Sequence, residues 1–192
     1  AIGAAKRACL SVGKDKFVAL DIGPLGRLLS PLGDLDFEEA VEVFAKTVRL
    51  GAKYGADLVF IETMNDSYET KAALLAAKEN CDLPVFVSNA YGEDGKLMTG
   101  ANAAAMVTML EGMGADAIGV NCSLGPAQLG QLGAAEGALG VVVVVVVAHG
   151  LGVVHQPRLD VLVEPRLPEL SLRLALADAV ALGELDGLEC LG

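Results

Sequence analysis

Short apolar runs and longer amphipathic stretches alternate along this chain. Residues 16–23 (KFVALDIG) have the β-rich character of a strand. Residues 37–55 fit a helix, with Ala40, Val43, Phe44, Thr47, Val48 and Leu50 as a mostly apolar face and Asp36 as its N-cap. A strand follows at 57–63 (DLVFIET). The next helix, 68–79, starts at Asp66 or Ser67; Glu69 lies three residues after Asp66, the spacing of a capping box with Asp in place of Ser or Thr. The alternation continues with a strand at 84–89 (PVFVSN), a helix at 103–113 capped by Asn102, and a strand at 117–122 (AIGVNC). Residues 127–136 read as a helix weakened by Gly130 and Gly133, 141–148 as a fifth strand, 170–182 as a helix and 186–191 as a short sixth strand.

Strict β/α alternation at this spacing argues for a parallel sheet with helical crossovers. A doubly wound sheet and a (β/α)8 barrel both fit. Neither a GxGxxG turn after a strand nor a GxxxxGK[ST] loop occurs. The position of polar residues is more telling. Asp21, Glu62, Asn89 and the pair Asn121 and Cys122 all fall at the C-terminal ends of candidate strands, the active-site face of a barrel.

Composition narrows the picture. The 192 residues make one domain or part of one. Hydrophobic residues are 53% with no Trp and 4% aromatics, so Val, Leu, Ile and Ala must build the core, as in sheets buried on both faces. A net charge of -11 repels phosphate backbones and argues against nucleic acid as a partner. The four cysteines, Cys9, Cys81, Cys122 and Cys190, form no CxxC pair, which favours a reduced compartment and hence the cytoplasm. No signal-peptide pattern opens the chain, which begins at Ala1 without Met, so the natural start is expected upstream. The longest uniform apolar run, 141–148, is far short of the roughly 20 residues a membrane span needs.

Each candidate has an ordinary alternative. Residues 21–24 (DIGP) suit a plain βα turn, where Gly and Pro are expected. Glu62, directly after Val-Phe-Ile, is costly unless partnered or solvated; a cleft position suits it, with an ammonium group as its natural partner. A lone Cys is usually a buried, inert residue. Cys122 differs because Asn121, Ser123 and a Gly-Pro turn surround it, which suits a nucleophile or a metal ligand. Cys81, in a helix-to-strand connection, reads as structural, and Cys9 has no supporting pattern. His149 and His155 lack HExxH or HxxEH spacing.

Together, DIGPLG (21–26), FIETMND (60–66), SNAYGEDGKLMTG (88–100) and GADAIGVNCSLGP (114–126) resemble the homocysteine S-methyltransferase family, and most closely the homocysteine domain of its cobalamin-dependent methionine synthase branch. The motifs run in the family's order over about residues 17–126, and GVNCSLGP is the most specific. The resemblance implies a (β/α)8 barrel. It implies zinc held by three cysteines, one from the NCS motif and two from a late GGCCG motif, activating the homocysteine sulfur for attack on a methyl donor. Zinc lowers the pKa of a coordinated thiol, and three protein ligands leave the open position catalysis needs. Residue by residue, Cys122 matches the first zinc ligand and Glu62 the acidic residue that holds the homocysteine amino group. Asn121 and Ser123 flank the metal site, and Asp21 is a further substrate-binding candidate. No residue is assigned as a catalytic acid or base. In this branch methylcobalamin on another module is the donor, so the cobalamin and methyltetrahydrofolate modules of the parent protein are implied partners.

This sequence departs from the pattern. The family's opening DGAMGT-like strand and its second strand are absent, so residues 1–192 correspond to a partial barrel, about strands three to eight. From about residue 130 the chain is rich in Leu, Val, Ala and Gly, with seven consecutive valines, which marks a divergent or degenerate stretch. GGCCG is replaced by residues 187–192 (GLECLG), where Cys190 matches one late ligand and Leu188 or Glu189 stands where its Cys neighbour belongs. Two functions fit these features: homocysteine methylation with zinc, and an inactive, metal-free barrel fragment with a structural or interaction role. A pterin-binding methyltransferase barrel leaves NCSLGP unexplained.

Overall fold

The computed structural model describes residues 1–12, 16–124 and the strand 142–145. Its elements are α1 (Ile2–Val12), β1 (Ala19–Ile22), α2 (Phe37–Lys53), β2 (Leu58–Met64), α3 (Ser67–Asn80), β3 (Val85–Asn89), α4 (Ala103–Gly112), β4 (Ala117–Asn121) and β5 (Val142–Val145). The elements expected at 127–136, 170–182 and 186–191 lie outside the described residues, as do His149, His155 and Cys190.

Helix starts follow local chemistry. Asp36 Oδ1 accepts the Glu38 N–H at 2.9 Å and caps α2, whose first turn carries Glu38 and Glu39 near the positive end of the helix dipole. Asn102 Oδ1 accepts the Ala105 N–H at 2.9 Å and caps α4. Asp66 caps α3 by accepting from Tyr68 N and Glu69 N, but the capping box is only half built. Glu69 does not return to the cap; its Oε1 takes the Leu25 N–H at 2.6 Å instead. The buried face of α2 is Ala40, Val41, Phe44, Ala45, Val48 and Gly51. Val43 and Leu50, expected on that face, are 37% and 54% exposed. The stripe is therefore rotated toward Val41 and Ala45, a choice a helix with apolar residues on several sides leaves to its neighbours.

All strand pairings are parallel, and the sheet order is β1-β2-β3-β4-β5. A doubly wound sheet reverses its strand order at a switch point. Five strands in unbroken sequential order show no such reversal, and the described strands run in barrel fashion. The helices cover one face of the sheet, where Ile22, Val59, Ile61, Val85, Val87 and Val120 join the buried side chains of α2, α3 and α4 in one core.

The αβ connections repeat a device. Residues 55–57 and 114–116 are both Gly-Ala-Asp. Gly55 (φ 84°) and Gly114 (φ 80°) take the left-handed conformation that ends a helix. Asp57 Oδ2 then accepts the Val18 N–H at 2.7 Å, and Asp116 Oδ2 accepts the Val85 N–H at 2.8 Å, each carboxylate stitching the foot of its strand to the one before. Lys6 at 2.6 Å and Lys78 at 2.7 Å pair with the same two carboxylates.

Candidate functional site

The parallel pairing brings the C-terminal ends of β1 to β4 to one edge of the sheet. Asp21 is the third residue of β1, Glu62 lies near the end of β2, Asn89 and Asn121 are the last residues of β3 and β4, and Cys122 follows immediately. The expected convergence at one end of the sheet is observed. The faces differ, however. Asp21 is in register with Phe60, and Phe60 with Phe86, so these residues share the face away from the helices. Asn89 is in register with Met64 and Val120 and turns the other way. Its Nδ2 donates to Met64 O at 3.1 Å and to Thr70 Oγ1 on α3 at 3.2 Å, and it is fully buried. Asn89 therefore ties the sheet to α3 and does not face the other strand-end residues.

A bulge decides where β2 aims its polar end. Ile61 pairs with Val87 and Met64 with Asn89, so Glu62 and Thr63 together oppose the single residue Ser88. Simple alternation would send Thr63 toward the helices and Met64 away from them. The extra residue reverses this: Met64 is fully buried in the core, and Glu62 and Thr63 both fall on the second face. Thr63 has φ 59°, a conformation that costs a β-branched residue of the order of 1–3 kcal/mol. Cys122 (φ 59°) and Ser123 (φ 56°) share it, and these three are the positive-φ non-glycine residues among those described.

Thr63, Ser88 and Asn121 form a closed ring of hydrogen bonds across the tips of β2, β3 and β4. Asn121 Nδ2 donates to Thr63 Oγ1 at 2.7 Å, Ser88 Oγ donates to Asn121 Oδ1 at 3.1 Å, and the Thr63 N–H points to Ser88 Oγ at 3.4 Å. Ser88 is 1% and Asn121 3% exposed. Around this ring Glu62 is half-buried, while Asp21, Cys122 and Ser123 are exposed. Cys122 is a free thiol. Its donor chemistry suits a thiophilic cation, but no group of three or more His, Cys, Asp or Glu side chains gathers among the described residues to complete a ligand set. Cys81 is half-buried at the end of α3 and donates its Sγ–H to Ala77 O at 3.4 Å, the structural role expected for it.

Beyond the same edge, a cleft of about 270 Å³ is lined by Pro24, Gly26, Arg27, Leu28, Asn65, Glu69 and Met98. Burial raises the pKa of Glu69 above its ordinary 4.5; the hydrogen bond from Leu25 N–H opposes the rise, and the nearby Asp66 charge adds to it. Thr63 and Ser88 carry no signal that singles them out in the sequence, and Glu69 stands out only by its capping-box spacing. A bulge leaves no mark on a seven-residue strand, and Glu69 sat where a capping role was the simpler reading.

Sequentially ordered parallel strands, helices on one face and polar residues at the strand tips define a protein of the parallel α/β class. Within that class the chain belongs to the homocysteine S-methyltransferase family, whose model matches residues 1–162, well past residue 126 where the recognisable motifs stop. Curated relatives include methionine synthases from Mycobacterium leprae, 29% identical over 121 residues, and Mycobacterium tuberculosis, 28% over 126. These matches take in 60% and 63% of this chain but only 10% of each relative, so the chain corresponds to a small part of them. Among solved structures, the homocysteine methyltransferase MmuM from Escherichia coli is similar in fold. Its apo form has a TM-score of 0.61 at 21% identity, covering 76% of this chain and 56% of MmuM; its metallated form has a TM-score of 0.55.

Proposed function

We propose that this chain is a homocysteine-binding portion of a cobalamin-dependent methionine synthase, and that its site serves methyl transfer to the homocysteine thiolate, giving methionine. The observation that carries the reading is the position of Cys122: an exposed, free thiol at the tip of β4, on the strand-end edge that Glu62 and Asp21 also occupy. Glu62, with Asp21 nearby on the same face, offers carboxylates for the substrate ammonium group, while Asn121 and Ser123 wall the space around Cys122. The substrate thiol loses its proton, its sulfur forms a bond to the methyl carbon, and the donor departs with the electron pair of the broken bond. Zinc, when bound, would favour the thiolate form of that sulfur. Cys122 and Cys190 are the ligands this sequence offers, and the existence of a metallated MmuM supports a metal in the family. Methylcobalamin on another module would supply the methyl group, with a methyltetrahydrofolate module as a further partner.

The five sequentially ordered strands and the 56% coverage of MmuM support an arc of a (β/α)8 barrel, about strands three to eight of the family pattern. A second reading has a specific basis. Leu188 and Glu189 stand where the second late cysteine belongs, so the sequence supplies Cys190 but no second late thiolate. On that reading the chain alone is an inactive, metal-free piece.

Calorimetric titration of homocysteine into the zinc-supplemented chain tests the substrate assignment. Glu62→Gln is expected to weaken binding about 10- to 100-fold, the loss of one charge-assisted hydrogen bond; unchanged affinity would remove Glu62 from the site. Metal analysis after dialysis against a mild chelator separates the two readings. Stoichiometric zinc that Cys122→Ala abolishes supports the first, and zinc lost on dialysis supports the second.

A further inference from the structure

We propose that Thr63 is a positioning residue, the clamp that fixes the tip of β4 relative to the tip of β2 and thereby the positions of Cys122 and Glu62 relative to each other. The bulge in β2 takes Thr63 off the β3 ladder, and Ser88 Oγ accepts its N–H in place of a backbone carbonyl. The left-handed backbone at Thr63 turns the hydroxyl so that it accepts from Asn121 Nδ2 at 2.7 Å, the shortest contact in the ring. Asn121 is the last residue of β4, and the chain turns at the next residue into the two left-handed conformations of Cys122 and Ser123. Leu124 N–H folds back onto Cys122 O at 2.6 Å to close that turn.

Left-handed conformations at non-glycine residues persist only where neighbours over-determine them. The ring is the set of neighbours that does so here. It is closed, nearly sealed from solvent at Ser88 and Asn121, and joins three strands through side chains rather than the sheet ladder. Glu62 precedes one clamped residue and Cys122 follows another, so the geometry between them is set by groups that need touch neither substrate nor metal.

The test uses the full chain, no homocysteine and no metal, so it stands apart from the proposed reaction. Thr63→Val keeps the shape and removes the hydroxyl; Thr63→Ser restores it; Ser88→Ala breaks the ring from the other side. Amide hydrogen exchange by NMR is followed at Leu124, with Val48 of the buried α2 face as the control, and the Cys122 Cα shift reports its left-handed backbone. In Thr63→Val and Ser88→Ala, Leu124 is expected to exchange about fivefold faster, the effect of one net hydrogen bond of about 1 kcal/mol on a local opening. The Cys122 shift should move away from its left-handed value, with Val48 unchanged. Thr63→Ser should match the parent protein. Unaltered Leu124 exchange in Ser88→Ala overturns the clamp. So does acceleration of Leu124 and Val48 in step, or Thr63→Ser behaving as Thr63→Val. If Thr63→Val does not fold, Ser88→Ala and Thr63→Ser decide.

Discussion

Asn89 and Asn121 end neighbouring strands and look equivalent in the sequence, yet they do different work. Asn89 is in register with core residues and donates to Met64 O and Thr70 Oγ1. Asn121 lies on the other face and holds Thr63 and Ser88. Glu69 is a third case in which the partner, not the residue type, sets the role. It is 3% exposed, and its Oε1 holds the loop after β1 through Leu25 N–H. Burial raises its pKa in the folded state, so the folded protein binds this proton more tightly than the unfolded chain. The stability from this group is therefore fully present below the ordinary value of 4.5 and is lost as pH rises through the raised folded value. Glu69→Gln keeps an acceptor for Leu25 N–H and removes the titration. The difference in stability between parent and Glu69→Gln, measured by urea denaturation across pH 4–8, is expected to shift in favour of the variant as pH rises. A difference that does not vary with pH would show that Glu69 titrates alike in both states.

At the scale of elements, apolar periodicity and capping residues located α2, α3, α4 and β1 to β4 to within a few residues, and α2 shows the limit. Its sequence places apolar residues on more than one side, and packing on β1 and α3 selects the stripe through Val41, Phe44, Ala45 and Val48. Phe44→Ala should therefore cost about 3–5 kcal/mol of unfolding free energy. Val43→Ala, at a 37% exposed position, should cost well under 1 kcal/mol. Denaturant midpoints for the two variants check this, and equal losses would return Val43 to the buried face. The Gly-Ala-Asp repeat at 55–57 and 114–116 was legible as a recurrence, but its purpose was not. That the carboxylate reaches an N–H at the foot of the preceding strand depends on parallel pairing, which no local window contains.

At the scale of the molecule, β1 pairs on one side with β2 and has no partner on its other side among the described residues. A strand edge with free N–H and C=O groups is a template for association. The isolated chain is expected to self-associate, with an average mass in light scattering that rises with concentration; a monodisperse monomer over a tenfold concentration range would count against it. Among the described residues no helix is long and apolar enough to cross a membrane.

The sequence by itself determined the β/α alternation, the helix caps and the family, because each rests on short-range chemistry: period, side-chain hydrogen bonds to nearby N–H groups, and contiguous motifs such as GVNCSLGP. It also placed Asp21, Glu62 and Cys122 at strand ends, since a polar residue closing an apolar run marks where a strand meets solvent. Which face each strand-end residue takes was decided only in three dimensions. One inserted residue in β2 reversed the alternation after Glu62, turning Thr63 to the side of Glu62, Ser88 and Asn121 and Met64 into the core. The register of a bulge is fixed by the neighbouring strand, and its hydrogen bonds join residues up to 58 positions apart, so no single segment carries the information.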